Sequence, residues 1–456
     1  MQRLKSIKKL TGKHFCIILL LVVQAVQTGC KKEREPVFDV GSNQYINKWV
    51  LDSMKVYYYW NTALPKTPNY NQQPLSFFGS IKNGADRFSQ LLNPDVPESY
   101  PRTLYSDFGI DLVTISAQGG EQTILRLVVP GSDGYQAGLT RGERILAING
   151  VAVNSTNVNT LSEASLKNGS ITLQMEGKPE PYLINGYLKP NPVYTTQVWE
   201  RSGKKIGYIF LNNFDVKALP KLKEVFAGFR AQQVSELVLD MRYNTGGEVS
   251  VAAALAAMIT RAAEGDVFLE YRGNANAGVQ RHGFGNEIGK LFTPVNYSQY
   301  AGLRLNINRI FILTGRHTAS AAELLVNNLP PYISTIRIGE PTLGKDMAEF
   351  EIKDYRSPKL VADWTLWPLV FKVYNSAGKG DYAAGLFPDI AVDELSILPL
   401  KELGDPDETL SRLAVAQITG IAVTSNRVLS VNNTPNKLYD ARDKEDAIVT
   451  PIRVSR

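Results

Sequence analysis

The sequence is poor in the side chains with which many enzymes hold metals or shuttle protons. Its 456 residues include two cysteines, Cys16 and Cys30, and three histidines, His14, His282 and His317. With Cys16 inside an apolar leader, a mature chain keeps one cysteine, which excludes an internal disulfide framework and a thiolate metal cluster. No H-E-x-x-H pair occurs, so a zinc site would need carboxylates, and there is no phosphate loop or dinucleotide fingerprint. The expectation is an activity without metal or cofactor. A bilayer-length apolar run is missing too: Phe15 to Val26 is apolar but short for a comfortable span.

A true excess of basic charge is also lacking. The formal net charge is +6, but Arg3, Lys5, Lys8, Lys9 and Lys13 all precede the apolar run, and residues 1–29 hold no acidic residue, so the rest of the chain carries +1. Charge therefore gives no argument for nucleic acid. A basic n-region followed by an apolar h-region reads as an export signal over 1–29. Gln27-Thr28-Gly29-Cys30 resembles a bacterial lipoprotein signal, with Cys30 as the lipidated residue. Gln27 departs from the usual aliphatic residue, and a plain secretory cleavage is the alternative. The resemblance implies a cell-envelope protein, an outer-membrane lipoprotein facing the periplasm or the cell surface.

The remaining chain divides by texture. Residues 30–42 are charged and read as a tether. Residues 43–98 carry helical periodicity, with Ile46, Trp49, Val50, Met54, Tyr57 and Tyr58 in a first helix and Phe77 to Leu92 in a second. Residues 99–190 alternate short strands and turns. Residues 191–423 alternate strands with helices, which predicts an α/β layered core. Within it, 262–305 is Gly- and Asn-rich and reads as an irregular insertion, and Trp364 to Tyr374 reads as a strand. Residues 424–456 are polar, with no clear structure. The fold class expected is α/β multidomain: a small helical domain, a β-rich domain and a layered core.

Three separated stretches carry chemistry. Thr318-Ala319-Ser320-Ala321-Ala322-Glu323 follows the strand-like Arg309 to Thr314 and precedes an apolar helix. A serine there can sit at a helix N-terminus, where backbone N–H groups could steady an oxyanion; the plainer reading is an N-cap. Asp240-Met241-Arg242-Tyr243-Asn244-Thr245-Gly246-Gly247 follows an apolar strand and opens an Ala-rich helix. Gly339-Glu340-Pro341-Thr342-Leu343-Gly344-Lys345 places a lysine in a Gly-flanked loop. Together these resemble the tail-specific, or C-terminal processing, serine peptidases, which carry a D-x-R-x-N-x-G-G stretch, a T-A-S-A turn and a G-K loop in this order. The resemblance covers roughly 100–400.

The resemblance implies a Ser-Lys dyad. Ser320 is the nucleophile, Lys345 the base, and the N–H groups of Gly246 or Gly247 and of Ala321 the oxyanion donors. Glu349 stands where the family often has an orienting glutamine; a carboxylate there would favour the charged ammonium. Glu323 reads as structural, and Asp240, Arg242 and Asn244 as a brace for the glycine loop. His317 as base in a Ser-His-Asp triad is the alternative, although it lies on the same turn as Ser320. Residues 99–190 resemble the PDZ domain of these peptidases, which takes a peptide as an added strand, with Phe108, Gly109 and Ile110 at the carboxylate-binding loop. The implied function is an exported, lipid-anchored serine endopeptidase acting on protein substrates. Membrane contact would come through lipid on Cys30, with no nucleic-acid partner. The rival is a weak or inactive peptide- or ligand-binding protein on the same fold.

Overall fold

Short continuous runs of Val, Leu, Ile and Phe, buried on both faces, build the central layer. In the computed structural model, which describes residues 36–100, 102–117, 120–186, 191–291, 296–356, 363–421 and 435–443, six strands form one sheet. Their spatial order is Ile390–Ala391, Ser334–Gly339, Arg309–Thr314, Glu236–Asp240, Lys204–Leu211, Val193–Arg201. The first five are mutually parallel and the last is antiparallel. Parallel strands need crossovers, and the helices Ala218–Ala231, Val249–Ile259 and Ala321–Asn328 supply them. Because both faces are covered, successive side chains enter different cores. Leu237, Leu239, Ile310 and Ile312 join one apolar cluster; Val238, Phe311 and Leu313 join another, closed by Leu410 and Leu413 of the helix Thr409–Thr419.

A seven-stranded antiparallel sheet lies beside this core. It runs in the order Lys437–Asp440, Ile110–Ala117, Gly120–Val128, Arg144–Ile148, Ile171–Met175, Tyr182–Ile184, with Val151–Ala152 paired to the fourth. Leu127 and Val129 pass from it into the second core cluster. A four-stranded sheet (Val279–Gly283, Val267–Arg272, Leu369–Tyr374, Met347–Glu349) and a three-stranded one (Gln90–Leu92, Thr365–Trp367, Ile352–Lys353) complete the molecule.

Several expectations are corrected. The second N-terminal helix is only Pro74–Ile81, and Gln90–Leu92 is a strand paired with Thr365–Trp367; the apolar pair there is spent on sheet edges. The stretch 262–305 is not irregular: Val267–Arg272 and Val279–Gly283 form a hairpin, followed by the helices Phe284–Ile288 and Tyr297–Ala301. Val267–Arg272 is buried along most of its length, so it shows no apolar–polar alternation, and the Gly- and Asn-rich turn after it hides the hairpin. The strand expected over Trp364 to Tyr374 is split at Pro368, as a residue without an N–H requires. Of the tail, residues 437–440 form a strand of the seven-stranded sheet. The signal segment, Cys30 and the tether as far as residue 35 lie outside the described residues. Among the described residues, no helix is long and apolar enough to cross a membrane.

The N-terminal helices share the large apolar cluster with the core: Trp49, Val50, Met54 and Phe77 belong to the same cluster as Leu255 and Leu325. The fit between helix and sheet is tight at Gly207, where a Cβ would lie 2.6 Å from the buried Phe229 ring. Gly207→Ala is therefore expected to destabilise the chain by about 1–3 kcal/mol through overpacking. Adding Phe229→Leu should recover part of that loss. Urea midpoints of the three proteins check this, and an unchanged midpoint in Gly207→Ala would contradict the packing described.

Candidate active site

The strand Arg309–Thr314 ends at Gly315, whose N–H donates to the Thr318 hydroxyl, and that hydroxyl donates to the Met241 carbonyl at 2.9 Å. The turn is thereby pinned to the Asp240–Gly247 loop. The Ala319 N–H adds a second link, to the Asn244 carbonyl at 2.9 Å. The chain then enters the helix Ala321–Asn328 through Ser320, at φ 60° and ψ −122°. A non-glycine residue at positive φ stores strain, and such strain clusters at functional turns.

Glu323, in the first turn of that helix, organises the surroundings. One carboxylate oxygen accepts the Ser320 N–H at 2.9 Å and the Lys345 N–H at 2.8 Å. The other accepts the Gly344 N–H at 2.7 Å and the Thr342 hydroxyl at 2.5 Å. A single buried side chain thus fixes the serine turn against the lysine loop. Burial pushes its carboxyl up to about 7, and the four donors work against that rise without cancelling it.

Lys345 is buried and its Nζ donates to Glu349 Oε1 at 2.6 Å. The ammonium position lies 5.4 Å from the Phe88 ring centroid. Phe88, Ala319, Met347 and Leu369 form one apolar cluster around this corner. Arg87 reaches over it to the carbonyls of Ala383 and Leu343 at 3.3 and 3.4 Å. The N-terminal segment therefore roofs the lysine. Sequence reasoning placed Phe88 only on a helix, and no local signal marks it, because its role comes from a fold-back over hundreds of residues. Glu323 did carry a signal: S-x-x-E before an apolar run is a capping box.

The glycine loop comes close enough to touch the serine. At Gly246 (φ 106°) a Cβ would lie 2.5 Å from Ser320 Cβ and 2.9 Å from the Ala321 nitrogen, so only glycine fits. The Gly246 N–H itself donates to Asn244 Oδ1 at 2.9 Å. Of the expected oxyanion donors, the Gly246 N–H is thus already committed within its own loop. Arg242 holds the base of the loop, bonding Asp240 and forming a two-pronged contact with Glu408 at 2.6 and 2.9 Å. Glu408 in turn caps the helix Thr409–Thr419.

The other expected site residues fall elsewhere. Phe108 ends the helix Leu104–Phe108, Gly109 caps it at φ 65°, and Ile110 opens a strand. Phe108 and Ile110 are buried, and the Gly109 N–H is spent on the Tyr105 carbonyl at 3.1 Å. The two described histidines have carboxylate partners: His282 meets Glu287 at 2.5 Å and His317 lies 3.6 Å from Asp440. His317, Asp440 and Asp443 are close enough to form a cation cluster. However, Arg126 and Arg316 already engage those two aspartates, which disfavours a cation there.

Residues 205–392 match Peptidase family S41 and residues 45–90 match the Peptidase S41 N-terminal domain, together about half of the chain. A carboxyl-terminal-processing protease of Picosynechococcus sp. is 26% identical over 286 residues, 59% of this chain and 62% of that one. The chloroplastic carboxyl-terminal-processing peptidase 1 of Arabidopsis thaliana is 24% identical over 281 residues, 59% of this chain and 54% of that one. The matches thus span less than two thirds of these curated relatives. A crystal structure described as an S41 protease from Bacteroides fragilis superposes with a TM-score of 0.68 at 24% identity, covering 86% of this chain and 100% of that one; it shares the fold.

The raised Glu323 carboxyl makes a signed prediction. Its folded pKa of about 7 exceeds the ordinary value of 4.5. Between those values the folded chain holds a proton that the unfolded chain releases. Stability from this group is therefore complete below about pH 4.5 and lost as pH rises through about 7. Relative to Glu323→Gln, which does not titrate, wild-type stability should fall across that window by up to about 3 kcal/mol. Melting curves of both proteins at several pH values check it, and a wild type that holds or gains stability relative to Glu323→Gln across that window would contradict the assignment.

Proposed function

This chain belongs to Peptidase family S41, and from that premise we propose that it is an exported, lipid-anchored serine endopeptidase that cleaves protein substrates with a Ser320–Lys345 dyad. The observation that carries the reading is the shared Glu323 carboxylate, which registers the strained serine turn and the buried lysine on one group. Ser320 Oγ attacks the scissile carbonyl and its proton passes to the Lys345 amine. The N–H groups of Gly247 and Ala321 stabilise the oxyanion. Lys345 then protonates the leaving amine, and water resolves the acyl-enzyme with Lys345 again as base. Gly246 serves by its missing side chain. Phe88 keeps water from the lysine.

Ser320→Ala and Lys345→Ala are each expected to abolish cleavage of an unfolded protein, because neither group acts alone; Ser320→Ala should leave the melting curve intact, whereas Lys345→Ala leaves the buried Glu349 without its partner and should lower it. Full turnover in either variant would sink the dyad. Glu349 favours one rival, a weak or inactive binding protein, since a carboxylate at 2.6 Å supports the ammonium rather than the amine that accepts a proton. Glu349→Gln keeps the hydrogen bond and removes the charge. Its kcat/KM profile should move to lower pH. Superimposable profiles would remove Glu349 from the chemistry, and absence of cleavage by wild type at every pH would favour the binding reading.

The seven-stranded sheet is read as the PDZ-like unit that receives substrate C-termini, by strand addition between Ile110–Ala117 and the helix Val158–Asn168. Lipid attachment at Cys30 would anchor the chain to the cell envelope. Cys30→Ser is expected to release the protein from membranes or block its maturation, as read by fractionation. Normal maturation with unchanged membrane partitioning would place the anchor elsewhere.

A further inference from the structure

The edge of the strand Ile110–Ala117 is where an incoming peptide would add, and that edge is taken. The segment Lys437–Asp440 pairs with it antiparallel, with Asp440 opposite Val113 and Tyr439 opposite Thr114. Antiparallel pairing runs this segment toward Ile110, the direction a bound tail takes when its end approaches the loop at Phe108–Ile110. The side chains divide as a ligand's would. Tyr439 and Ala441 join the apolar cluster of Leu112, Val158 and Leu166, and the Tyr439 hydroxyl meets Ser162 of the neighbouring helix. Arg442 follows Ala441, so an internal stretch rather than a chain end fills the groove.

The opposite face of the segment is tied to the catalytic turns. Asp440 accepts from Arg126 at 2.5 and 2.9 Å and lies 3.6 Å from His317, three residues before Ser320. Burial opposes its ionisation, but the Arg126 charge overrides this and holds the carboxyl far below the usual range. Arg442 donates to Asp111 at 2.5 Å and to the Tyr243 carbonyl at 3.3 Å, next to the Asn244 that orients the glycine loop. Tail groove and active site thus meet at one short segment.

We infer that residues 437–441 are an intramolecular ligand of the groove between Ile110–Ala117 and Val158–Asn168, so that a peptide C-terminus binds only when this segment leaves. A tethered strand competes at an effective concentration near the millimolar range, enough to mask a groove of ordinary peptide affinity. The inference rests on the reading of this groove as tail-binding, and its test does not depend on catalysis.

The probe is the fluorescent peptide Asn-Lys-Leu-Tyr-Asp-Ala with a free C-terminus, titrated by anisotropy into the full chain carrying Ser320→Ala. It is then titrated into the same chain ending after Gly420, and into the full chain carrying Tyr439→Gly. The shortened chain should bind at least tenfold more tightly, and Tyr439→Gly should show a smaller gain. Equal binding by all three, or binding by none, overturns the inference. If the shortened chain fails to fold, Tyr439→Gly decides: a gain supports the inference and no gain overturns it. Cleavage assays on wild type stand apart. A gain in binding with no proteolysis would fault the peptidase reading alone, whereas proteolysis without any gain would fault the internal ligand alone.

Discussion

The site depends on one buried carboxylate. Glu323 accepts N–H groups from Ser320, Gly344 and Lys345 and the hydroxyl of Thr342, and these donors come from two loops that the sequence separates. A carboxylate has enough lone pairs for all four, and a carboxamide does not. Burial makes the arrangement costly, which is why the carboxyl is displaced upward even with its donors in place. The constraint converts helix capping, a local device, into the register between the serine turn and the lysine loop.

Around that clamp the molecule uses buried charge as joinery. Arg242 unites Asp240, Glu394 and Glu408, and Arg141 brings the seven-stranded sheet onto the same group through Glu394 and the Tyr243 hydroxyl. Replacing one member of such a network strands a charge in a dry interior, so geometry is held more tightly than apolar packing alone would hold it. The glycine loop hangs from this joint: its entry is fixed by Arg242, and its turn by Asn244, which bonds the Leu211 carbonyl and the Gly246 N–H. The C-terminal segment enters the same joint through Asp440 and Arg442, so groove and serine turn share a boundary.

The strand–helix alternation was legible in the chain, because short continuous apolar runs separated by helical stretches have few other ways to bury both faces. The family resemblance also marked Ser320, Lys345 and the Gly246-Gly247 loop through local motifs: small residues at a helix start, a lysine just after a glycine, and paired glycines after an apolar strand. What tertiary structure decided were relations across long chain separations. Phe88 roofs Lys345, Glu323 joins two loops, the Gly246 N–H goes to Asn244, and Tyr439 enters a groove whose strand lies more than 300 residues earlier. None of these can be read locally, since a side chain's partner in a packed interior is set by which surfaces the sheets bring together. The polar stretch 424–456, with no clear structure from its sequence, shows the limit most plainly: Asp440 and Arg442 find their places only against the buried Arg126 and Asp111 that the fold supplies.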